Sequence, residues 1–279
     1  MQNLINLAYN SFMYRISIWG TGNVAYRLSI ELKAAGHSIP FICGRNVTSG
    51  KKLVRILNKE ENNPHKVEEA TFFTNDFHSL KDSDIIILAV SDDVIQTLAK
   101  EFATITFKDK KIPLLIHTSG ATSIEALECY PFTGVLYPLM TLSKIKPVNF
   151  KLVPFLIESY SPEGEKILKD IVLSLGSEYM ISTSDERLKM HLAAVYVSNF
   201  VNYLIGLAFD ISKPNQELLM PLAIETVRKA FLYEHPSIVQ TGPAKRGDIQ
   251  TISKHLKLLE GMSEHRYVYE MLSKLISKQ

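Results

Sequence analysis

Tyr14-Arg15-Ile16-Ser17-Ile18-Trp19-Gly20-Thr21-Gly22-Asn23-Val24-Ala25 (YRISIWGTGNVA) is the stretch whose reading decides the fold. Residues 15–19 alternate polar and β-prone side chains, as a short strand does. They run straight into Gly20-Thr21-Gly22-Asn23-Val24-Ala25, a G-x-G-x-x-A turn, and then into a helical run over 25–35. The first Gly permits a tight turn from strand to helix. The second lets a pyrophosphate come close to backbone where a Cβ would otherwise stand, and Ala in third place still allows the helix to pack on the strand. Free N–H groups at the amino end of that helix then face the phosphates. Set between strand and helix, the motif predicts a dinucleotide-binding unit with Gly20, Thr21, Gly22, Asn23 and Val24 at the cofactor. The alternative is a Gly-rich turn in another doubly wound protein.

Downstream, residues 38–43 (SIPFIC) read as a second strand ending at Gly44-Arg45-Asn46. An acidic residue in this region would hold a ribose 2′-hydroxyl, whereas an Arg accommodates a 2′-phosphate. No Asp or Glu lies between Gly36 and Gly50. Arg45, with its planar two-pronged donor geometry, suits a phosphate, and Asn46 and Thr48 are placed to add hydrogen bonds. The expected cofactor is NADP(H) rather than NAD. A helix is expected over 51–61, stopped by Asn62-Asn63-Pro64, and a short strand over 71–74. Residues 84–90 (DIIILAV) form the continuous apolar run of a central parallel strand, which sets Val90 and Ser91 beside the cofactor at its carboxyl end. Asp92 and Asp93 read as caps of a helix over 94–103. Further strands are expected at 112–117, 133–137, 153–158 and 178–181. Helices are expected at 123–129 and 162–175. This alternation predicts one extended α/β domain over 13–183 with a doubly wound, mainly parallel sheet.

From Ser184 the pattern becomes helical, and residues 184–279 read as an all-α domain. Residues 185–211 predict one long helix, apolar nearly all round, and hence buried in a bundle or against a second subunit. His191, Ser198 and Asn202 are spaced to share a stripe on it, with Asn199 slightly aside. The stripe either satisfies itself inside a bundle or faces a substrate cleft. Helices at 216–233, 249–259 and 264–276 complete the chain, with Asp248 as a cap. The Thr241-Gly242-Pro243-Ala244-Lys245-Arg246-Gly247-Asp248 loop offers Arg246 either to a substrate carboxylate or to Asp248.

Composition narrows the partners. The chain has 279 residues, 46% hydrophobic and 22% charged, with net charge +2. That balance gives no reason to expect nucleic acid or an anionic membrane. Cys43 and Cys129 lack metal-ligand spacing, no metal is expected, and a reducing cytoplasm is the simplest compartment. Residues 1–12 lack the pattern of a signal peptide, and Met13 is an alternative start. The apolar run at 193–209 carries Ser198, Asn199 and Asn202 and is short for a membrane span.

The Gly20–Ala25 turn, the strand ending His117-Thr118-Ser119-Gly120, the Tyr137-Pro138-Leu139 segment and the 241–248 loop together resemble a group of bacterial proteins classed as NADP oxidoreductases. These pair a Rossmann-like domain with a helical domain of unassigned function. The resemblance covers nearly the whole chain from Met13. More distantly the chain is similar to pyrroline-5-carboxylate reductase, prephenate dehydrogenase, and the 6-phosphogluconate and 3-hydroxyisobutyrate dehydrogenases. These relatives imply a 6-phosphogluconate dehydrogenase-like helical C-terminal domain that forms a homodimer, with the active site between domains. In prephenate dehydrogenases a Ser after the corresponding strand and a His before Pro-Met act on substrate. Ser119 matches the first, and Tyr137 replaces that His. In the hydroxyacid dehydrogenases a Lys precedes an Asn of the long helix by one turn. If Asn199 is that Asn, Val195 occupies the Lys position and the usual acid/base is missing. Tyr137, His117 or His191 then remain to relay a proton.

The resulting expectation is an NADP-dependent oxidoreductase acting on a small polar metabolite, with or without a carboxylate. Ser119, Tyr137, His117 and His191 form its catalytic set, and Ser198, Asn199, Asn202 and Arg246 its substrate contacts. The missing Lys motivates a rival, a catalytically silent NADP(H)-binding sensor or regulatory dimer. A third reading is a structural dimer with a vestigial nucleotide site.

Overall fold

The computed structural model describes residues 13–59, 69–107, 111–233 and 235–278. Residues 1–12 and the Asn62-Asn63-Pro64 helix stop lie outside the described residues. The chain divides into two compact units, the first ending at Ser198 and the second beginning at Asn199.

The first unit is an eight-stranded sheet: β1 (Ile16–Trp19), β2 (Phe41–Cys43), β3 (Phe72–Thr74), β4 (Ile85–Leu88), β5 (Leu114–His117), β6 (Thr133–Pro138), β7 (Phe155–Ser159) and β8 (Tyr179–Ile181). Their spatial order is β3-β2-β1-β4-β5-β6-β7-β8. All neighbours pair in parallel except β6 and β7, which run antiparallel with Pro138 opposite Phe155. The connection over 139–154 therefore emerges at the carboxyl edge of β6. The strand order reverses at β1, flanked by β2 and β4, which is where this architecture opens a crevice for a ligand.

Helices cover both faces: α1 (Asn23–Ala34), α2 (Val47–Leu57), α3 (Ile95–Ala103), α4 (Pro162–Ser174) and α5 (Ser184–Val195). Strands β1, β4 and β5 are buried on both sides, and their period-two alternation sorts the core into two layers. Ile16, Ile18, Ile85, Ile87, Leu114 and Ile116 meet Leu28 and Leu32 of α1 on one face. On the other, Trp19, Ile86, Leu88 and Leu115 meet Ile95, Ala99 and Phe102 of α3. Trp19 stacks on Phe77 with centroids 4.1 Å apart and meets Phe102 edge-on at 5.6 Å.

Three local expectations need correction. Helix α2 starts at Val47, four residues early, because the Asn46 side chain caps it by accepting from Ser49 N–H at 2.9 Å. Asp92 and Asp93 do not cap α3. A 3₁₀ turn over Asp92–Val94 precedes it, with no side-chain cap at Ser91 or Val94, and Val94 N–H donates to the Ser91 carbonyl instead. Residues Ile124–Leu127 likewise form a 3₁₀ turn, not an α-helix.

The long helix runs from Ser184 to Ser212 in three parts. Helix α5 starts from a capping box between Thr183 and Glu186. A π turn follows over Tyr196–Phe200, and then α6 (Val201–Ser212). The π turn breaks the 3.6-residue period on which an alignment of His191 with Asn202 depends. By length and composition this helix is apolar enough to cross a bilayer, yet none of its most apolar window is buried.

The second unit continues with α7 (Met220–Ala230), the short α8 (Pro243–Arg246), α9 (Ile249–Leu258) and α10 (Ser263–Ile276). Asp248 caps α9, accepting from Thr251 N–H at 3.0 Å and Thr251 Oγ1–H at 2.7 Å. His255 Nδ1 lies 2.8 Å from the Tyr269 hydroxyl. Among the described residues of this unit only Ala244 and Leu259 are buried apolar side chains, while Phe231, Ile249 and Leu258 are each about three-quarters exposed. No residue of α6 is buried. Burial within a bundle of the same chain, one of the two expectations for this helix, is not met.

Candidate functional site

At the carboxyl edge of the first unit's sheet lies a cleft of about 990 Å³, a volume at the upper end of those that hold small molecules and cofactors. Gly20, Thr21, Gly22, Asn23 and Val24 line it from the β1–α1 turn, Gly44, Arg45 and Asn46 from the end of β2, and Val90 and Ser91 from the end of β4. Thr118, Ser119 and Gly120 line it from the end of β5, Tyr137 from β6 and His191 from α5.

The turn at β1 is built to bring two backbones together. Gly20 has φ +145°, and a Cβ there would stand 2.1 Å from the Ala89 carbonyl oxygen. Gly22 is the opposite case. Its backbone is extended, with φ −74° and ψ −169°, and a Cβ would meet nothing within 4 Å. That open space lies beside the amino end of α1, whose first turn carries no acidic residue. A cradle that a single methyl would fill, facing unpaired N–H groups, fits a diphosphate. Arg45 is exposed at the cleft beside the amino end of α2.

The other end of the cleft carries proton chemistry. The Tyr137 hydroxyl and His191 Nδ1 are 3.0 Å apart, with the rings edge-on at 5.7 Å. Burial raises the Tyr137 pKa above that of a free phenol. Gly120 makes room for the pair: a Cβ there would fall 2.6 Å from His191 Nδ1 and 2.7 Å from Tyr137 Cζ. Ser119 Oγ accepts from Ala121 N–H at 3.1 Å and Thr122 N–H at 2.9 Å. Its lone pairs are thus engaged, and its own proton remains to be donated.

His117 sits below this surface. It is fully buried, does not line the cleft, and its Nδ1 accepts from Ser119 N–H at 3.2 Å. Burial first, and the nearby Arg187 charge second, lower its pKa to about 3. A neutral imidazole that fixes the Ser119 turn is its observed role.

Residues 15–113 match the family model described as NADP oxidoreductase coenzyme F420-dependent, and residues 153–276 match a domain of unknown function, DUF2520. Among solved structures, a Bacteroides fragilis protein provisionally described as an NADP oxidoreductase, BF3122, is 30% identical over 96% of this chain and 99% of its own, with a TM-score of 0.83. This chain belongs to that NADP oxidoreductase family. Protein TM1727 of Thermotoga maritima is 21% identical over 94% of this chain and 97% of its own, at a TM-score of 0.64. Pyrroline-5-carboxylate reductase of Coxiella burnetii is 15% identical over 96% and 100%, at 0.57. At those identities the last two speak for the fold alone. No curated protein matches the sequence.

In this family member, α5 is fixed by a buried polar cluster that sequence pattern alone does not reveal. Arg187, fully buried, pairs with Glu158 of β7 and donates to the Thr122 carbonyl at 2.6 Å and to Ser184 Oγ at 3.1 Å. Ser184 Oγ in turn accepts from Ile124 N–H at 3.0 Å. The cluster ties α5 to both the β5 loop and β7. His191, one helical turn beyond Arg187, is thereby carried to Tyr137.

Ser198 is turned away from this role: its hydroxyl donates to the Ala194 carbonyl at 2.6 Å within the helix, and it does not line the cleft. Asn199, Asn202 and Arg246 belong to the second unit, where all three are exposed. Among the described residues no cluster of His, Cys, Asp and Glu could hold a metal ion.

Proposed function

We propose that this family member is an NADP(H)-dependent oxidoreductase acting on a small polar metabolite. The observation that carries the reading is the cleft itself. It joins a diphosphate cradle at Gly22, a guanidinium at Arg45 and a Tyr137–His191 proton pair in one cavity. The nicotinamide supplies hydride transfer when bound.

The protein's share of the work follows from its residues. Backbone N–H groups of the Gly20–Val24 turn bind the diphosphate, and Arg45 reads the 2′-phosphate with help from the amino end of α2. Val90 and Ser91 border the cofactor. Ser119 donates its hydroxyl proton to the reacting oxygen or nitrogen, and Tyr137 passes a proton between substrate and His191. Arg246, exposed in the second unit, has the donor geometry for a carboxylate, and neither it nor Asn199 nor Asn202 lines this cleft.

The second unit's exposed apolar helices support a homodimer. A surface this apolar needs covering, and a second copy of the same face is the simplest cover.

Titration with NADPH and NADH tests the cofactor assignment. Arg45→Glu is expected to weaken NADPH binding at least tenfold while leaving NADH within about threefold. Equal losses for both, or none, would overturn it. If Asn199 is the Asn of the hydroxyacid dehydrogenases, Val195 stands where their Lys does, and that favours the second reading, a silent NADP(H) sensor. Tight NADPH binding without absorbance change across 2-hydroxy acids, 3-hydroxy acids and imines would select that reading.

A further inference from the structure

The connection between β6 and β7 touches the cofactor turn through two cations. Arg27 of α1 is buried, and its guanidinium donates from Nε to the Ser143 carbonyl and from Nη2 to the Lys144 carbonyl at 2.9 Å. Those bonds fix the backbone of the connection against α1. From that anchor the Lys144 side chain reaches back over the turn. Its Nζ donates to the Thr21 carbonyl at 2.7 Å and stands 6.0 Å from the Tyr26 ring centroid.

Thr21 is the middle residue of Gly20-Thr21-Gly22 and lines the cleft, whereas Lys144 is exposed beside it without lining it. Among the described residues no carboxylate ion-pairs with Arg27 or Lys144. Only carbonyl oxygens and a ring face balance the two charges. An ammonium has three protons to donate, and one suffices for Thr21.

We propose that Lys144 is a diphosphate-binding residue, a cation held at the cofactor turn by Arg27 so that its remaining protons meet the bound phosphates. The proposal rests on the reading that this turn cradles a nicotinamide dinucleotide. It adds to that reading a charge contributed from far along the chain, on a connection with no phosphate motif. It also separates two duties: Arg45 distinguishes the cofactors by the 2′-phosphate, whereas Lys144 grips the part that both share.

The test is calorimetric titration of NADPH and NADH into the full-length wild type, Lys144→Gln, Lys144→Met and Lys144→Arg, at low and moderate salt. Ligand-free melting of each variant reports whether the contact is merely a latch on the loop. Lys144→Gln and Lys144→Met are expected to weaken NADPH and NADH by a similar factor, about tenfold or more. Lys144→Arg should restore most of the loss, and the salt dependence of binding should be shallower in the neutral variants. Affinities within twofold of wild type for both nucleotides in the neutral variants would overturn the proposal, as would lower melting temperatures with unchanged affinity. Wild-type protein that binds neither nucleotide would instead remove the cofactor reading on which the proposal stands.

Discussion

Two glycines two residues apart should respond oppositely to the same added methyl. At Gly22 the backbone is ordinary extended chain and a Cβ meets nothing within 4 Å. Gly22→Ala should therefore change the stability of the ligand-free protein by no more than about 1 kcal/mol in either direction, because the lost freedom of the unfolded chain opposes the poorer helix N-cap that Ala makes. The methyl would occupy the space assigned to the diphosphate. Losing one or two charge-assisted N–H bonds costs about 2–4 kcal/mol, or roughly 30- to 1,000-fold in Kd. At Gly20 the same methyl would stand 2.1 Å from the Ala89 carbonyl oxygen, at φ +145°. Backbone strain and overpacking together cost about 2–6 kcal/mol, a fall of roughly 10 °C in Tm at the usual 2–4 °C per kcal/mol. Thermal melts without ligand and fluorescence titration with NADPH separate the outcomes. Gly22→Ala protein that melts normally and binds NADPH as tightly as wild type would refute a diphosphate at this turn.

Two further outcomes are expected. Burial lowers the His37 pKa to about 4, and burial with the Arg187 charge lowers that of His117 to about 3. Both lie below the unfolded value, so their contribution is complete above about pH 6.5 and is lost as pH falls toward the folded values. At pH 5 each histidine should cost about 2 kcal/mol of stability, and His37→Gln should remove about half of that acid sensitivity. A melting temperature unchanged between pH 7 and pH 5 would contradict this. Sedimentation at micromolar concentration should give twice the chain mass, with Phe209→Arg on the exposed face of α6 shifting the protein toward monomer. A wild-type protein at single-chain mass would remove the dimer.

The Gly20–Val24 edge of the cleft is legible in the sequence because its parts are local. A strand, two glycines and a helix follow one another within a dozen residues, and the ends of β2, β4 and β5 are marked by a switch from an apolar run to Gly44, Ser91 and Thr118. Tyr137 and His191 are also visible as polar residues at element ends, but their 3.0 Å approach is not. It depends on Arg187 and Glu158, which look like ordinary surface charges until α5 lies against β7. The Lys144–Thr21 bond spans 123 residues and forms because β6 ends at the same sheet edge as β1. His117 misleads for a related reason. A histidine at a strand's carboxyl end reads as facing the ligand, whereas strand alternation turns this one inward toward Arg187. The long helix shows the limit of periodicity: five residues wound as a π turn carry no compositional mark, yet they shift the register of every residue beyond them.

Reversal of direction at β7 has a practical consequence. A parallel neighbour would require a returning helix, which the sheet's packing would hold to a narrow length and composition. The antiparallel partner needs only to be reached, so residues 139–154 are free of that duty. Grafting a longer or shorter stretch at 145–147, with Arg27 still bonded to Ser143 and Lys144 and with Leu142, Phe150 and Val153 kept in the core, offers a way to retune nucleotide grip while leaving the β1 glycine turn untouched.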